Sequence, residues 1–355
     1  MATVTKSIGT NSRDYSTISA WEADLANGAI YSSGDEAIGE CYNDSTFDES
    51  FDIDDTGPAF GLSSIILRAN STQKHDGTPD SGVKVTYTGT VTDSNGIFKV
   101  SYDQSSYGTD LVKIEDIEFA DITISDEVNA IILQLGENSC IMSRCLVNNI
   151  QHDGAGLRNL YIFGIDDSHG AVLQNSMVFN CGKNATSGSS PGRCVAFYCT
   201  SSAEHLNVTV YSIYDKASQS WGAFDGVYKN VIIANCGLNF KQQTGTSSNY
   251  NLSSDSTVFG SNSASDVASH RLFVSTTTGS EDLHLKDKSV ALRIGLNLGT
   301  TDDVQKDIDG TDRDTSGTAK WDIGADQCAT CSKGNVKEAS SRLPLNGDFG
   351  SFNIT

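Results

Sequence analysis

The sequence predicts an all-β fold: a right-handed parallel β-helix solenoid with a short N-terminal capping helix and an extended C-terminal arm. Three observations predict it. One segment recurs, as IEDIEFADI (114–122), MSRCLVNNI (142–150), LQNSMVFNC (173–181), HLNVTVYSI (205–213) and YKNVIIANC (228–236). Within each copy apolar residues alternate with period two, whereas an amphipathic helix would place them at i, i+3, i+4 and i+7. The chain is also rich in turn formers, with 33 glycines and many Ser, Thr, Asn and Asp, against four prolines.

Aligned on their fourth residue, the copies give the columns Ile117, Cys145, Ser176, Val208, Val231 and Phe119, Val147, Val178, Val210, Ile233. The last column is Ile122, Ile150, Cys181, Ile213, Cys236, preceded by Asp121, Asn149, Asn180, Ser212, Asn235. Each copy reads as one strand. The offsets of 28, 31, 32 and 23 residues read as turns of a coil, with the longest loops at 182–193 and 214–226. Stacked turns bring like residues to about 4.8 Å, so the Asp/Asn/Ser column is expected to form a corner ladder. An antiparallel sandwich also has short alternating strands and is the competing fold. A propeller needs a period of about 40 or more.

The ends complete the plan. In DYSTISAWEADLANG (14–28), Ser19 and Glu22 suggest a capping box and Gly28 a stop, so a helix is expected near 19–27, plugging the first turn. Strands are expected at 63–69 and 82–90, and 251–300 is less regular. The expected organisation is a cap region over 1–60, the β-helix over 61–327 and a C-terminal tail or arm over 328–355.

Composition narrows the function. With 45 acidic and 24 basic residues the net charge is −21, which opposes direct binding of nucleic acid and keeps a chain soluble in salt. MATVTKSIGT has no apolar h-region and no long apolar run follows, so neither a signal peptide nor a membrane span is expected. The nine cysteines, among them Cys145, Cys181 and Cys236, sit mostly in apolar runs and read as small buried hydrophobes. Cys328 and Cys331 form a lone CxxC without the second pair a zinc site needs. Sequons at Asn43, Asn70, Asn184, Asn207, Asn251 and Asn353 are expected by chance in such a chain.

At its ends the chain resembles a known group. IGTNSRDYSTISAWEADL (8–25) and GECYNDS (39–45) resemble the start of right-handed β-helix proteins of marine and environmental tailed bacteriophages. DIDGTDRDTSGTAKWDIGADQ (307–327) is similar to the last rung of many pectate-lyase-like β-helix proteins. The resemblance implies a virion component, made in the host cytoplasm: a capsid-surface decoration, a head fibre, or a tail spike or fibre. By analogy with viral β-helices it implies a homotrimer docked on capsid or tail subunits.

Because β-helices often act on polysaccharides, an enzyme is one reading of the fold. A glycosidase needs two carboxylates flanking the bond, and a lyase needs a base and often calcium. The best cluster is Asp166, Asp167 and His169 in IDDSHG, with His152 and Asp153 one turn earlier and His205 one turn later. The acids and the histidine lie within five residues and no Arg-x-Lys motif follows, so they read as turn residues. DIDGTD (307–312) has glycine at position 4, not 6, so it fails the EF-hand pattern and reads as a turn closing the last rung. The expectation is therefore a virion structural protein without catalysis, cofactor or metal. The alternatives are a receptor-binding tailspike with polysaccharide lyase or hydrolase activity, and a carbohydrate-binding protein that does not cleave host-surface polysaccharide.

Overall fold

A computed structural model describes residues 2–53, 61–91, 96–100, 112–124, 130–135, 140–153, 159–165, 171–183, 193–199, 203–215, 219–241, 247–314, 316 and 319–332. The chain coils through three parallel sheets. The first stacks Thr3–Ile8, Glu36–Cys41, Ser64–Ala69, Val112–Glu115, Cys140–Ser143, Val172–Gln174, Glu204–Leu206 and Val227–Lys229. The second stacks Phe47–Asp48, Lys84–Thr86, Glu118–Ile124, Leu146–His152, Met177–Lys183, Thr209–Asp215, Ile232–Ala234 and Leu252–Ser253. The third stacks Phe51–Ile53, Phe98–Val100, Ala130–Leu135, Leu160–Ile165, Arg193–Cys199, Gln219–Phe224 and Leu238–Phe240. Neighbours in each sheet lie one turn apart in sequence and pair in parallel, which is the predicted β-helix.

Each recurring segment is more than the one strand expected. It is the end of a first-sheet strand, a sharp bend and a second-sheet strand, as in Cys140–Ser143, Arg144 and Leu146–His152. The bend residue is left-handed in every copy: Asp116, Arg144, Asn175, Asn207 and Asn230 have φ of 60°, 51°, 50°, 53° and 57°. Most residues lose about 1–2 kcal/mol there, whereas Asn and Asp tolerate it through local side-chain hydrogen bonds. Asp121, Asn149, Asn180, Ser212 and Asn235 are left-handed too, with φ of 52–58°, and kink the second-sheet strands. The expected ladder at this column is partial: Asn149 Nδ2 donates to Asp121, which also takes Lys84 Nζ at 2.8 Å. The buried ladder stands at the bend. Asn207 Nδ2 donates to Asn175 Oδ1 at 2.9 Å, and Asn230 Nδ2 to Asn207 Oδ1 at 2.9 Å.

Inside the coil, Phe119, Val147, Val178, Val210 and Ile233 stack in register, as the alignment predicts. Phe51, Phe98 and Phe119 pack with centroids 5.3 and 5.0 Å apart. Six of the seven free cysteines are buried. The N-terminal plug is a helix over Ile18–Ala23, shorter than the one expected near 19–27. Its cap is Thr17, whose hydroxyl oxygen accepts from the Ala20 amide at 3.1 Å, while Ser19 Oγ donates instead to Glu49 at 2.7 Å. Trp21 seals the core beneath it, donating from Nε1 to the Tyr31 hydroxyl at 3.0 Å. At the other end Phe259 covers Phe240 and Tyr228, with centroids 4.9 and 6.1 Å away.

Several expected boundaries move. The coil begins at Thr3 rather than at 61, because Thr3–Ile8 and Glu36–Cys41 already belong to the first sheet. Segment 214–226, expected as a loop, contains the third-sheet strand Gln219–Phe224. At the far end, the residues after about 265 are not rungs. An antiparallel hairpin, Phe273–Thr277 with Ser280–Leu285, and irregular chain to 332 form a second layer on the outer face of the second sheet. Outward-facing Leu146, Met177, Phe179, Tyr211 and Ile232 are buried in one cluster with Leu272, Phe273, Leu285, Ile308 and Ile323. Burial of that apolar area, at about 25 cal/mol per Å², holds the layer down.

Segment 307–327 is therefore part of this layer and not a last rung. It is anchored where Ala325 N donates to Thr209 Oγ1 at 3.0 Å and Gly324 N to the Asn230 carbonyl at 2.9 Å. Its other end reaches back to the early turns, where Lys74 Nζ donates to the Asp309 carbonyl at 2.6 Å. Residues 328–332 also belong to it: Cys328 and Cys331 are disulfide-bonded, and Ser332 N donates to Asp287 at 2.7 Å. The remainder of the expected arm, 333–355, lies outside the described residues.

Candidate functional site

The residues singled out for polysaccharide chemistry are not brought together at a described surface. His152 is fully buried, in register with Ile124 on the coil's interior side. Asp153 is exposed at the end of that strand, its amide donating to the Ile124 carbonyl at 2.7 Å. Asp166, Asp167 and His169 lie outside the described residues. His205 is in the core, sandwiched between Phe197 and Tyr228 with centroids 4.5 and 4.7 Å away, and its Nε2 is 3.4 Å from Cys199 Sγ. Burial pushes its pKa down to about 3, so it stays neutral. Of the sequons, Asn207 and Asn251 are fully buried.

The turn at 307–312 is structural. Asp307 Oδ1 accepts the amides of Asp309 and Thr311 at 3.1 and 2.7 Å, and Gly310 takes φ +81°. Against this turn stands an ion-paired imidazole. His284 Nδ1 is 2.6 Å from Asp282 and Nε2 is 3.1 Å from Asp309. One donor atom each from His284, Asp309 and Asp326 lie within 4.8 Å of one another, making these the potential metal donors among the described residues. As they stand, His284 and Asp309 are joined by a hydrogen bond, and Asp326 accepts the Leu285 amide at 2.7 Å. Burial disfavours the imidazolium, but Asp309, Asp326 and Asp282 outweigh it and raise the His284 pKa to about 10.

A pH dependence follows. A histidine whose folded pKa exceeds its unfolded value stabilises fully below about pH 6.5 and loses that contribution as pH rises toward 10. The second layer is expected to loosen between pH 7 and 10, by on the order of 2 kcal/mol after solvent screening. Hydrogen exchange across 280–311 checks this. His284→Gln should flatten the alkaline slope, and an unchanged slope would assign it to other groups.

The second and third sheets differ on their outer faces. The second is sealed by the C-terminal layer, whose buried cluster includes no third-sheet residue. On the third sheet, register places Tyr161, Val195 and Trp221 in one outward column and Gly164, Tyr198 and Phe224 in the next. Their rings are in contact, from turn to turn for Tyr161 with Tyr198 at 4.5 Å and Tyr198 with Phe224 at 5.5 Å, and within one strand for Trp221 with Phe224 at 5.4 Å. Arg193 lies 4.7 Å and Lys241 5.5 Å from the Trp221 ring centroid. Both cations are exposed, and neither belongs to an ion pair among the described residues. Tyr198, 41% exposed, is one of two large hydrophobic side chains exposed among the described residues, the other being Val274.

This face was missed from sequence because the recurring segments do not include third-sheet strands. The signal was present in the runs LYIFGI, RCVAFYC and QSWGAF between copies, each carrying outward aromatics. Elsewhere, a cavity of about 210 Å³ lies between the first sheet and Leu298, Thr301 and Val304. Its polar lining is Gln174 with the Glu204–Lys229 ion pair at 2.7 Å. No described helix is long and apolar enough to cross a membrane.

No family model matches this chain, and no curated protein matches it. Among solved structures it is similar to the pectin methylesterase from Aspergillus niger in deglycosylated form. The identity is 13% over 80% of this chain and 90% of that one, with a TM-score of 0.25. The same enzyme in penultimately deglycosylated form gives 13% identity, the same coverage and a TM-score of 0.27. The β-helix architecture rests on this chain's own strand pairing.

Proposed function

We propose that this chain is a structural component of a tailed-phage particle, a stiff rod that works through the contacts of its surface rather than through catalysis. The observation that carries the reading is the bracing of the coil. The helix over Ile18–Ala23 plugs one end, Phe259 covers the other, and the C-terminal layer spans turns from Asn230 back to Lys74. Plugged ends oppose strand-on-strand addition, so contacts are made from the sides. The phage-like opening at 8–25 supplies the setting, and a homotrimer on capsid or tail subunits is the expected assembly.

Immunogold labelling of purified particles tests this. Label at a fixed position on intact virions is the expected result, and absence of the protein from virions would sink the reading. Light scattering of the purified protein reports the expected trimer mass. Incubation with host-surface polysaccharide should yield no new reducing ends. Product formation abolished by Asp166→Ala or Asp167→Ala would replace the structural role with a cleaving spike.

A further inference from the structure

We propose that the outer face of the third sheet, around Tyr198, is a binding site for an anionic polysaccharide. The inference deepens the surface-contact reading by naming the ligand class, and it does not depend on where in a particle the protein sits.

Three features of this face carry the inference. It exposes Tyr198 within an aromatic column, whereas the outer face of the second sheet is buried by the protein's own second layer. The stack fixes Tyr198 between Tyr161 and Phe224, so its edge and hydroxyl are presented with little entropy left to lose. Arg193 and Lys241, both exposed, flank the column on a chain of net charge −21 and have no carboxylate partner among the described residues.

Charge complementarity selects the occupant. Two cations without an ion pair among the described residues, and phenolic hydroxyls beside apolar ring edges, match a chain with sparse carboxylate or sulfate groups, many hydroxyls and apolar C–H faces. Guanidinium and ammonium bind the acid groups, and the tyrosine hydroxyls exchange hydrogen bonds with the sugar. Single-stranded nucleic acid also combines anions with stacking. Its charge density, however, calls for a basic groove, and the surface as a whole repels it.

The test is calorimetric titration of the full chain with polygalacturonate, alginate and hyaluronan, and with dextran as a neutral control. At least one acidic polymer is expected to bind, more weakly as salt rises, while dextran does not. The double variant R193Q/K241Q should weaken binding about tenfold or more, and Tyr198→Ala should do so without changing the melting temperature appreciably. No binding to any of the three acidic polymers would overturn the proposal. So would equal binding of dextran, tighter binding of oligo-dT, or indifference to both variants. Binding by a protein absent from virions would instead refute the particle role and leave this site standing.

Discussion

Replacing Arg313 with leucine is expected to release the C-terminal layer from the coil. Arg313 is among the largest fully buried side chains. Its Nη2 donates to the carbonyls of Gly324 and Ala325 at 2.9 and 2.7 Å, and Nη1 to that of Asp322 at 3.2 Å. Three buried carboxylates, Asp307, Asp322 and Asp326, surround it. Burial raises the pKa of the first two to about 6 although Arg313 opposes the rise. Arg313→Leu strands those carbonyls and removes the buried charge that favours the ionised form of all three acids, leaving only His284 to act on Asp326. The cost of breaking such a buried arrangement is about 3–5 kcal/mol.

Hydrogen exchange should then accelerate about 10²–10⁴-fold over 289–327, with the coil's interior strands changing far less. The loss is also pH-dependent. Carboxyls whose folded pKa lies above the unfolded value destabilise progressively as pH rises through that interval. In the variant their pKa values rise further, so the defect should be larger at pH 8 than at pH 5. Arg313→Lys keeps the charge but not the planar fork and should recover only part of the protection. Normal exchange over 289–327 in Arg313→Leu at pH 8 would show that apolar burial alone holds the layer.

The same contrast explains what the sequence could and could not reveal. Inward columns such as Phe119 to Ile233 were legible because one strand's alternation repeats in the next turn. Adjacent apolar pairs such as Leu146–Val147, Met177–Val178 and Ile232–Ile233 are equally visible in the sequence. Two apolar neighbours in a strand face opposite sides, so such pairs mean that both faces are covered. That is the signature of the second layer, and the cluster containing Leu146, Met177 and Ile232 confirms it. The third sheet is harder to read for another reason: runs such as LYIFGI and RCVAFYC carry aromatics on both faces, so alternation does not tell inside from outside. The open face around Tyr198 was hidden with them. Of the candidate catalytic residues, His152 is turned into the core by the left-handed Asn149 in its strand, whereas His205 stands in the inward column of Leu173 and Tyr228. A left-handed residue resets the alternation, and no period count anticipates it.

Asn207 joins these strands of evidence, and its removal is the second large effect expected. It is fully buried and left-handed, with φ of 53°. Its Nδ2 donates to Asn175 Oδ1 at 2.9 Å and to the Val304 carbonyl at 3.1 Å, while its Oδ1 accepts from Asn230 Nδ2 at 2.9 Å. It thus ties three successive turns to one another and to the second layer. Asn207→Ala leaves three partners without this bond and adds the backbone cost of a left-handed alanine, about 3–5 kcal/mol together. Asn207→Gly removes the same bonds but relaxes the backbone, so it should be milder by about 1 kcal/mol. Urea denaturation of the two variants separates the contributions. Equal midpoints would mean that backbone conformation contributes nothing and the ladder everything. A wild-type midpoint in both would mean that apolar stacking alone sets the register of the coil, and that the asparagine column merely fills the bend.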